Sequence, residues 1–258
     1  MKTIKFVVAT AFMMIAGFNA SAQLTGTQII DKTYNRASGD DQTSKLTMTL
    51  TNSSGQTRVR IIQQFSKDLG DAEKSIMFFQ SPADVKNTSF MNWSYEEDDK
   101  DDDQWIYLPA LKKVKRISSD SKSDYFMGSD FTYDDLGDRK LNADNHKLLR
   151  EETINGKQCY VVESTSKDED YMYSKTITWI DQSTFVGVQK EFYDEDAELL
   201  KILTIKKVEK IAGFYVITHS EMKNVQKNHT TTMILSNVEV NIGISADKFS
   251  ERMMTRGM

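Results

Sequence analysis

Leu46-Thr47-Met48-Thr49-Leu50-Thr51 sets three apolar residues against three threonines with a period of two. Successive side chains of a strand point to opposite faces, so the stretch reads as a β-strand with one apolar face. The pattern recurs outward along the chain. Ile177 and Trp179 alternate with Thr176 and Thr178, and Val186 and Val188 with Gly187 and Gln189. Val238, Val240 and Ile242 alternate with Glu239 and Asn241. Threonine, valine and aromatic residues suit such half-buried pleated surfaces. Turn signals separate these runs: Asn52-Ser53-Ser54-Gly55, Asn155-Gly156, Asp194-Glu195-Asp196 and Ala212-Gly213. Strands joined by short turns give consecutive antiparallel hairpins. Roughly ten or eleven strands are expected, too many to lie flat without strong curvature. The fold class is therefore mainly β, a curved antiparallel sheet forming a half-open barrel.

Helix is scarce. Thr27 to Tyr34 places Ile29, Ile30, Thr33 and Tyr34 near one face, with Thr27 as its expected cap. A second short helix is expected to start at Ser245, with Phe249 and Met253 one turn apart. One or a few such helices beside a large curved sheet would lid a concave surface.

The chain opens with Lys2 and Lys5, an apolar run from Phe6 to Phe18, and Ala20-Ser21-Ala22. This is the charged, apolar and small-residue pattern of a secretory leader, with cleavage expected after Ala22. The run is too short for a spanning helix, which needs about 20 residues. No cysteine lies near the cleavage site to carry acyl chains. The single cysteine, Cys159, sits in an apolar run and reads as a small buried hydrophobe. The expected organisation is a leader over residues 1–22 and one domain over residues 23–258, exported to the periplasm. With two prolines and no Gly/Ser-rich linker, no domain boundary shows. Acidic residues outnumber basic ones, 38 to 33, and losing Lys2 and Lys5 with the leader widens the gap. Such a balance argues against nucleic acid as a partner.

Gln104 to Ile117 reads as a hairpin. Trp105 and Tyr107 share one face of its first strand, and Val114 and Arg116 share one of its second. Pro109-Ala110-Leu111-Lys112 makes the turn, with proline at the position that favours φ near −65°. The run Asp103-Gln104-Trp105-Ile106-Tyr107-Leu108-Pro109-Ala110-Leu111-Lys112-Lys113-Val114-Lys115-Arg116-Ile117 is followed by Phe126-Met127-Gly128-Ser129-Asp130-Phe131-Thr132-Tyr133-Asp134-Asp135-Leu136. This ordered pair of motifs resembles the outer-membrane lipoprotein-sorting-protein family, the broad LolA-like group. The leader, the N-terminal helix, the sheet and the closing Asp247 to Met253 fit as well, so the resemblance covers nearly the whole mature chain. It implies a half-open β-barrel lidded by helices. It also implies a periplasmic carrier or binding protein that shields lipid or lipoprotein acyl chains during transfer between membranes, in partnership with an inner-membrane exporter of the resistance-nodulation-division type or an acceptor protein. The other reading it carries is a sensor or accessory subunit that binds an inner-membrane protein. The chain is longer than the dedicated carriers, and its acidic loop and Phe126–Leu136 motif are additions to their pattern.

Acyl chains cost about 0.8 kcal/mol per CH₂ exposed to water, so their transit needs shielding. Met77, Phe79, Phe90, Met91, Trp93, Trp105, Tyr107, Phe126, Met127 and Phe131 are the candidate cavity lining. Each also reads as ordinary core, since apolar residues sit inside anyway. Lys112, Lys113, Lys115 and Arg116 form a basic cluster that reads either as a docking site for anionic headgroups or a partner, or as strand-edge lysines that block aggregation.

Glu96 to Asp103 is an acidic run without the EF-hand glycine, so a solvated loop tip is favoured over calcium. His146, His219 and His229 show no paired metal-ligand spacing, and Gly128-Ser129-Asp130 is no nucleophile elbow. Asp130, Asp134 and Asp135 offer carboxylates without a nucleophile, base and orienting group around them. The expectation is a binding protein rather than an enzyme, with neither cofactor nor metal.

Overall fold

The strand that carries the opening alternation, β1 (Asp41–Thr51), lies at the middle of the sheet. The computed structural model describes residues 23–97 and 100–257, and the expected leader falls outside them. One meander runs outward from β1 through β2 (Thr57–Asp68), β3 (Ala72–Ser81), β4 (Ser89–Tyr95), β5 (Asp103–Leu108) and β6 (Lys113–Arg116). The other comprises β7 (Asp144–Ile154), β8 (Lys157–Ser166), β9 (Lys175–Asp181), β10 (Gly187–Tyr193), β11 (Leu199–Ile211), β12 (Phe214–Asn224) and β13 (His229–Val240). All pairings are antiparallel, and β13 joins β1 so that the two meanders form one sheet in the order β6-β5-β4-β3-β2-β1-β13-β12-β11-β10-β9-β8-β7. It has thirteen strands where ten or eleven were expected. It is not closed into a barrel: β6 and β7 are its edges.

The register defines an inner face. Across neighbouring strands, Ile106, Phe90, Met77 and Phe79 follow one another to Ile62 and Leu46. From Leu46 and Leu50 the same face continues through Leu235 and Thr231, Met222, Leu203 and Lys190 to Thr178 and Val162. Two pieces of chain cover it. One is α1 (Gly26–Tyr34), whose Ile29 and Ile30 pack against Val162, Ile180 and Leu148. The other is the connection between the meanders, residues 117–143, built of short 3₁₀ turns.

The cap of α1 is Thr25, not Thr27. Gln28 N donates to Thr25 Oγ1 at 3.2 Å and Thr25 N to Gln28 Oε1 at 2.9 Å. A capping box needs Gln or Glu three residues beyond the cap, and Gln28 meets that spacing from Thr25. The first turn of α1 lies against the backbone of β7: a Cβ at Gly26 would stand 2.7 Å from Leu148 N. Glycine there lets helix and edge strand touch.

At the other end, a 3₁₀ turn at Ala246–Lys248 precedes α2 (Glu251–Arg256), so the helix begins after Ser250 rather than at Ser245. Phe249 and Met254, not Met253, are the fully inserted pair, packed on Ile76, Phe78 and Met91 of the opposite, outer face. Ile242 lies beyond β13 and is 51% exposed, so the alternation through Val238 and Val240 stops short of it. Among the described residues no helix is long and apolar enough to cross a membrane.

Asp41 fixes the turn from β13 into this C-terminal piece. Its buried carboxylate accepts backbone N–H bonds from Ile242 (2.8 Å), Gly243 (3.0 Å) and Ile244 (2.9 Å), and pairs with Lys67 at 3.5 Å. Burial disfavours the charge, but the Ile244 and Ile242 amides and Lys67 outweigh it and hold the carboxyl below its ordinary range. A depressed folded pKa adds stability that is present above the unfolded value of about 3.9 and is lost as pH falls through the folded one. Asp41→Ala is expected to cost on the order of 3 kcal/mol near neutrality by urea unfolding. The deficit should shrink as pH falls below about 4, where the unfolded chain protonates at Asp41 before the folded one does.

Candidate functional site

The ten apolar residues singled out as cavity lining do not share one surface. Met77, Phe79, Phe90, Phe126 and Met127 meet on the inner face with Leu46, Met48, Leu50 and Ile62. Met91, Trp93, Trp105 and Tyr107 lie on the outer face, in the cluster closed by Ile244, Phe249 and Met254. Trp93 and Trp105 contact edge to face there at 5.0 Å. Phe131 belongs to the inner face but to its other half, beside Tyr173, Phe192 and Met222. Alternation separates the groups, since Phe90 and Met91 are neighbours in sequence and point to opposite sides of β4.

The inner apolar strip is filled by the chain itself. Phe126, 1% exposed, is seated under the sheet with its ring 6.0 Å from Phe79, 5.1 Å from Phe90 and 5.6 Å from Tyr133. Arg60 on β2 donates to the Met127 carbonyl, and Gln104 Nε2 on β5 to the Tyr133 carbonyl at 2.8 Å. Tyr133 and Leu136 also pack onto the strip, so residues 117–143 act as a closing segment over it.

Charged groups hold this segment to the second meander. Lys201 on β11 is completely buried, and its Nζ donates to Asp135 Oδ2 at 2.5 Å and to the Asp130 carbonyl at 3.1 Å. The ammonium lies 5.0 Å from the ring centres of both Tyr173 and Phe192. Desolvation pulls its pKa down, and Asp135 pulls it back up. Asp130, also buried, takes hydrogen bonds at 2.7 Å from the Thr231 hydroxyl and the His229 ring. Tyr171 donates to Asp134 at 2.5 Å and Tyr173 to Asp135 at 3.1 Å. Burial, then the adjacent carboxylates Asp134 and Asp135 respectively, push both phenols far up. Burial likewise raises Asp134, against the pull of Tyr171.

A cavity of about 200 Å³ remains beside this network, between α1, the closing segment and the sheet. Phe131, Phe192, Leu203 and Met222 give it an apolar wall, and Tyr171, Asp134, Arg139 and Lys190 a polar one. Arg139 is bound to Asp144 at 2.6 Å. A cleft of about 470 Å³ continues between α1 and β3–β4, where desolvation and then Asp138 push the Glu73 carboxyl up to about 7. Ligand pockets run roughly 300–1,000 Å³ and are mainly apolar. The smaller cavity falls below that range, and the larger cleft is walled by Asp31, Glu73, Glu96 and Arg139. Among the described residues, no group of three or more His, Cys, Asp or Glu side chains is placed to hold a metal ion.

Lys112, Lys113, Lys115 and Arg116 are all exposed on the β5–β6 hairpin, at one edge of the sheet. Arg116 reaches across to Asp103. The acidic run forms the β4–β5 connection, but its last two members are structural: Asp102 is buried and Asp103 begins β5. Cys159 is fully buried, and burial raises its thiol pKa.

Lys201 and its tyrosines were not singled out from the sequence. The available signal was Leu199-Leu200-Lys201-Ile202-Leu203, a lysine at a position where the alternation calls for an apolar side chain.

A family model described only as an uncharacterized protein matches residues 71–256. No curated protein matches the sequence. A solved domain from Vibrio parahaemolyticus, designated an outer membrane lipoprotein-sorting protein, is 32% identical with a TM-score of 0.84, over 90% of this chain and 98% of that one. The chain belongs to the outer-membrane lipoprotein-sorting-protein family. A DUF1329 family protein from Desulfovibrio piger shares 29% identity at a TM-score of 0.84, over 89% of this chain and 97% of its own. A LolA superfamily protein from Nitrosomonas europaea has the same fold at 21% identity and a TM-score of 0.68, over 89% and 99% of the two chains.

The buried pair yields a double-variant test. Lys201→Met leaves Asp135 buried without its cation and is expected to cost about 3–5 kcal/mol in urea unfolding. Adding Asp135→Asn should recover much of that loss, because an unpaired buried charge costs more than no charge.

Proposed function

We propose that this lipoprotein-sorting family member is a periplasmic carrier or binding protein that shelters lipid, or the acyl chains of a lipoprotein, under the inner face of its sheet. The observation that carries this reading is who fills that face. The strip of Leu46, Met48, Leu50, Ile62, Phe79 and Phe90 is covered by a connection made of short turns, not by another layer of strand or long helix. Such a cover holds an apolar surface out of water and exchanges for an acyl chain of like chemistry. The exchange replaces burial with burial, so its net cost lies mainly in the polar contacts given up.

Phe126 is then the competitor of the cargo. Binding moves residues 117–143 aside, and release lets them return, so the protein never exposes the bare strip. Handover follows the tighter site: an acceptor with higher affinity takes the chain. The work is binding and transfer, without bond chemistry. The exposed basic hairpin at Lys112, Lys113, Lys115 and Arg116 is the proposed face toward an acceptor or inner-membrane exporter.

Two measurements test this. Residues 23–258 purified from a periplasm are expected to retain stoichiometric lipid or acylated peptide in native mass spectrometry. In addition, Phe126→Ala should lower stability by about 3–5 kcal/mol, yet tighten binding of a fluorescent long-chain fatty acid, because the internal competitor is gone. Absence of copurifying lipid, together with no fatty-acid binding by either form, overturns the reading.

A further inference from the structure

The inner-face ends of β4 and β5 carry a square of buried polar side chains that the lipid reading does not use. Asn92 stands directly opposite Gln104, and just beyond the last ladder pair, Trp93–Asp103, the Ser94 hydroxyl reaches Asp102. Directly opposed residues have Cβ atoms about 4.5–5.5 Å apart, which sets Asn92 beside Gln104. All four are at least nine-tenths buried: Gln104 at 1%, Asn92 at 4%, Ser94 at 5% and Asp102 at 9% exposure.

Their donors are spent within the protein. Asn92 Nδ2 donates to the Ser94 hydroxyl at 2.8 Å, which donates to Asp102 Oδ2 at 2.8 Å. Gln104 Nε2 donates to the Tyr133 carbonyl. Three oxygens are left without any donor: Asn92 Oδ1, Gln104 Oε1 and Asp102 Oδ1. A lone buried polar atom without a partner is uncommon and costs about 1–3 kcal/mol. Three of one kind on one patch, all acceptors, call for a donor or a cation, and a cation can serve all three at once. A cavity of about 80 Å³ opens beside Asp102 and Gln104, with Asp101, Asp134 and Asp138 around it. Of the cations there, Arg139 is taken by Asp144 and Lys140 by the Tyr95 carbonyl, which leaves Lys122 against these carboxylates.

We propose that Asn92, Asp102 and Gln104 form a site for a hard, oxygen-seeking cation of the calcium class. Carboxylate and amide oxygens are the ligands such ions take, and water from the adjoining cavity completes the six to eight they need. Magnesium fits less well, because it demands near-ideal octahedral geometry and gives up its own waters reluctantly. With one carboxylate among the protein ligands, the affinity falls in the weak range of extracellular calcium modules, about 0.1–1 mM. The position gives the ion a role. The closing segment meets this patch: Asp138 N donates to Asp102 Oδ2 at 2.7 Å, and a Cβ at Gly137 would stand 2.6 Å from the same oxygen. A cation here fastens residues 133–138 to β5.

The test is calorimetric titration of the mature protein, stripped of divalent ions, with calcium chloride, and magnesium and sodium chloride as comparisons. One saturable calcium site is expected, weakened roughly tenfold or more by Asp102→Asn and tightened by Gln104→Glu, which adds a second carboxylate. Glu96→Gln with Glu97→Gln, in the exposed part of the acidic connection, should leave it unchanged. Amide hydrogen exchange of residues 133–138 should slow when calcium is added. If Asp102→Asn does not fold, the Gln104→Glu and exchange measurements decide. No saturation by 10 mM (roughly tenfold above the weak limit of such modules), or binding lost with the Glu96/Glu97 pair and indifferent to Gln104→Glu, overturns the site and assigns the three oxygens to bound water. The titration contains no lipid, so its outcome is independent of the carrier reading.

Discussion

The Lys201–Asp135 pair is the contact on which the closed form of the molecule turns. It joins the connection between the two meanders to the middle of the second one, where both side chains are buried. An ammonium in that position is expensive unless its carboxylate is present. The pair fixes residues 130–135 against β11, because removing either partner would leave a buried charge unpaired. Once it is set, Tyr133 and Leu136 are carried onto the apolar strip, and Phe126 follows between Phe79 and Phe90. From the β8–β9 connection Tyr173 braces Asp135 and Tyr171 the neighbouring Asp134, so the segment is held at a second place in the second meander.

This arrangement reconciles an apolar inner face with the small size of the cavity beside it. The strip is apolar, and it is occupied by aromatic and aliphatic side chains of the closing segment. The polar latch and the apolar filling stand next to each other along the segment. On the carrier reading proposed above, cargo that displaced Phe126 would work against the first as well as the second.

The sheet was legible in the sequence because period-two alternation and turn residues are local. The threonine-alternating runs at Leu46 and Ile177 are strands β1 and β9, and Asn155-Gly156 is the β7–β8 turn. Strand number was undercounted because strands such as β7 carry little alternation. Its Arg150, Glu151 and Glu152 sit on an open edge, where charge protects against pairing and no face need be wholly apolar. The closing segment was visible as a motif from Phe126 to Leu136, but its role was not. That role rests on partners about 70 to 100 residues away, as with Lys201 and Asp135 or His229 and Asp130, and no local pattern encodes them. Division of the aromatic residues between two faces was readable in principle from the alternation of Phe90, Met91 and Trp93. Treating all of them as one lining ignored that alternation.

The seam between β1 and β13 has a consequence for how the chain comes to be folded. Each meander is a run of hairpins between sequence neighbours and can form as soon as its own residues are present. The seam pairs Gln42 with Val240, and Asp41 waits for the amides of Ile242 to Ile244. No central pairing exists until nearly the whole chain has been made. Until then β1, a central strand in the finished protein, has one side open, long and half apolar, which is the kind of edge that captures other chains. Joining two preformed halves through contacts of such separation is slow. The nascent protein thus has a long interval in which it depends on being kept apart from its own copies, and truncation before His229, which removes β13, would prolong that interval without end.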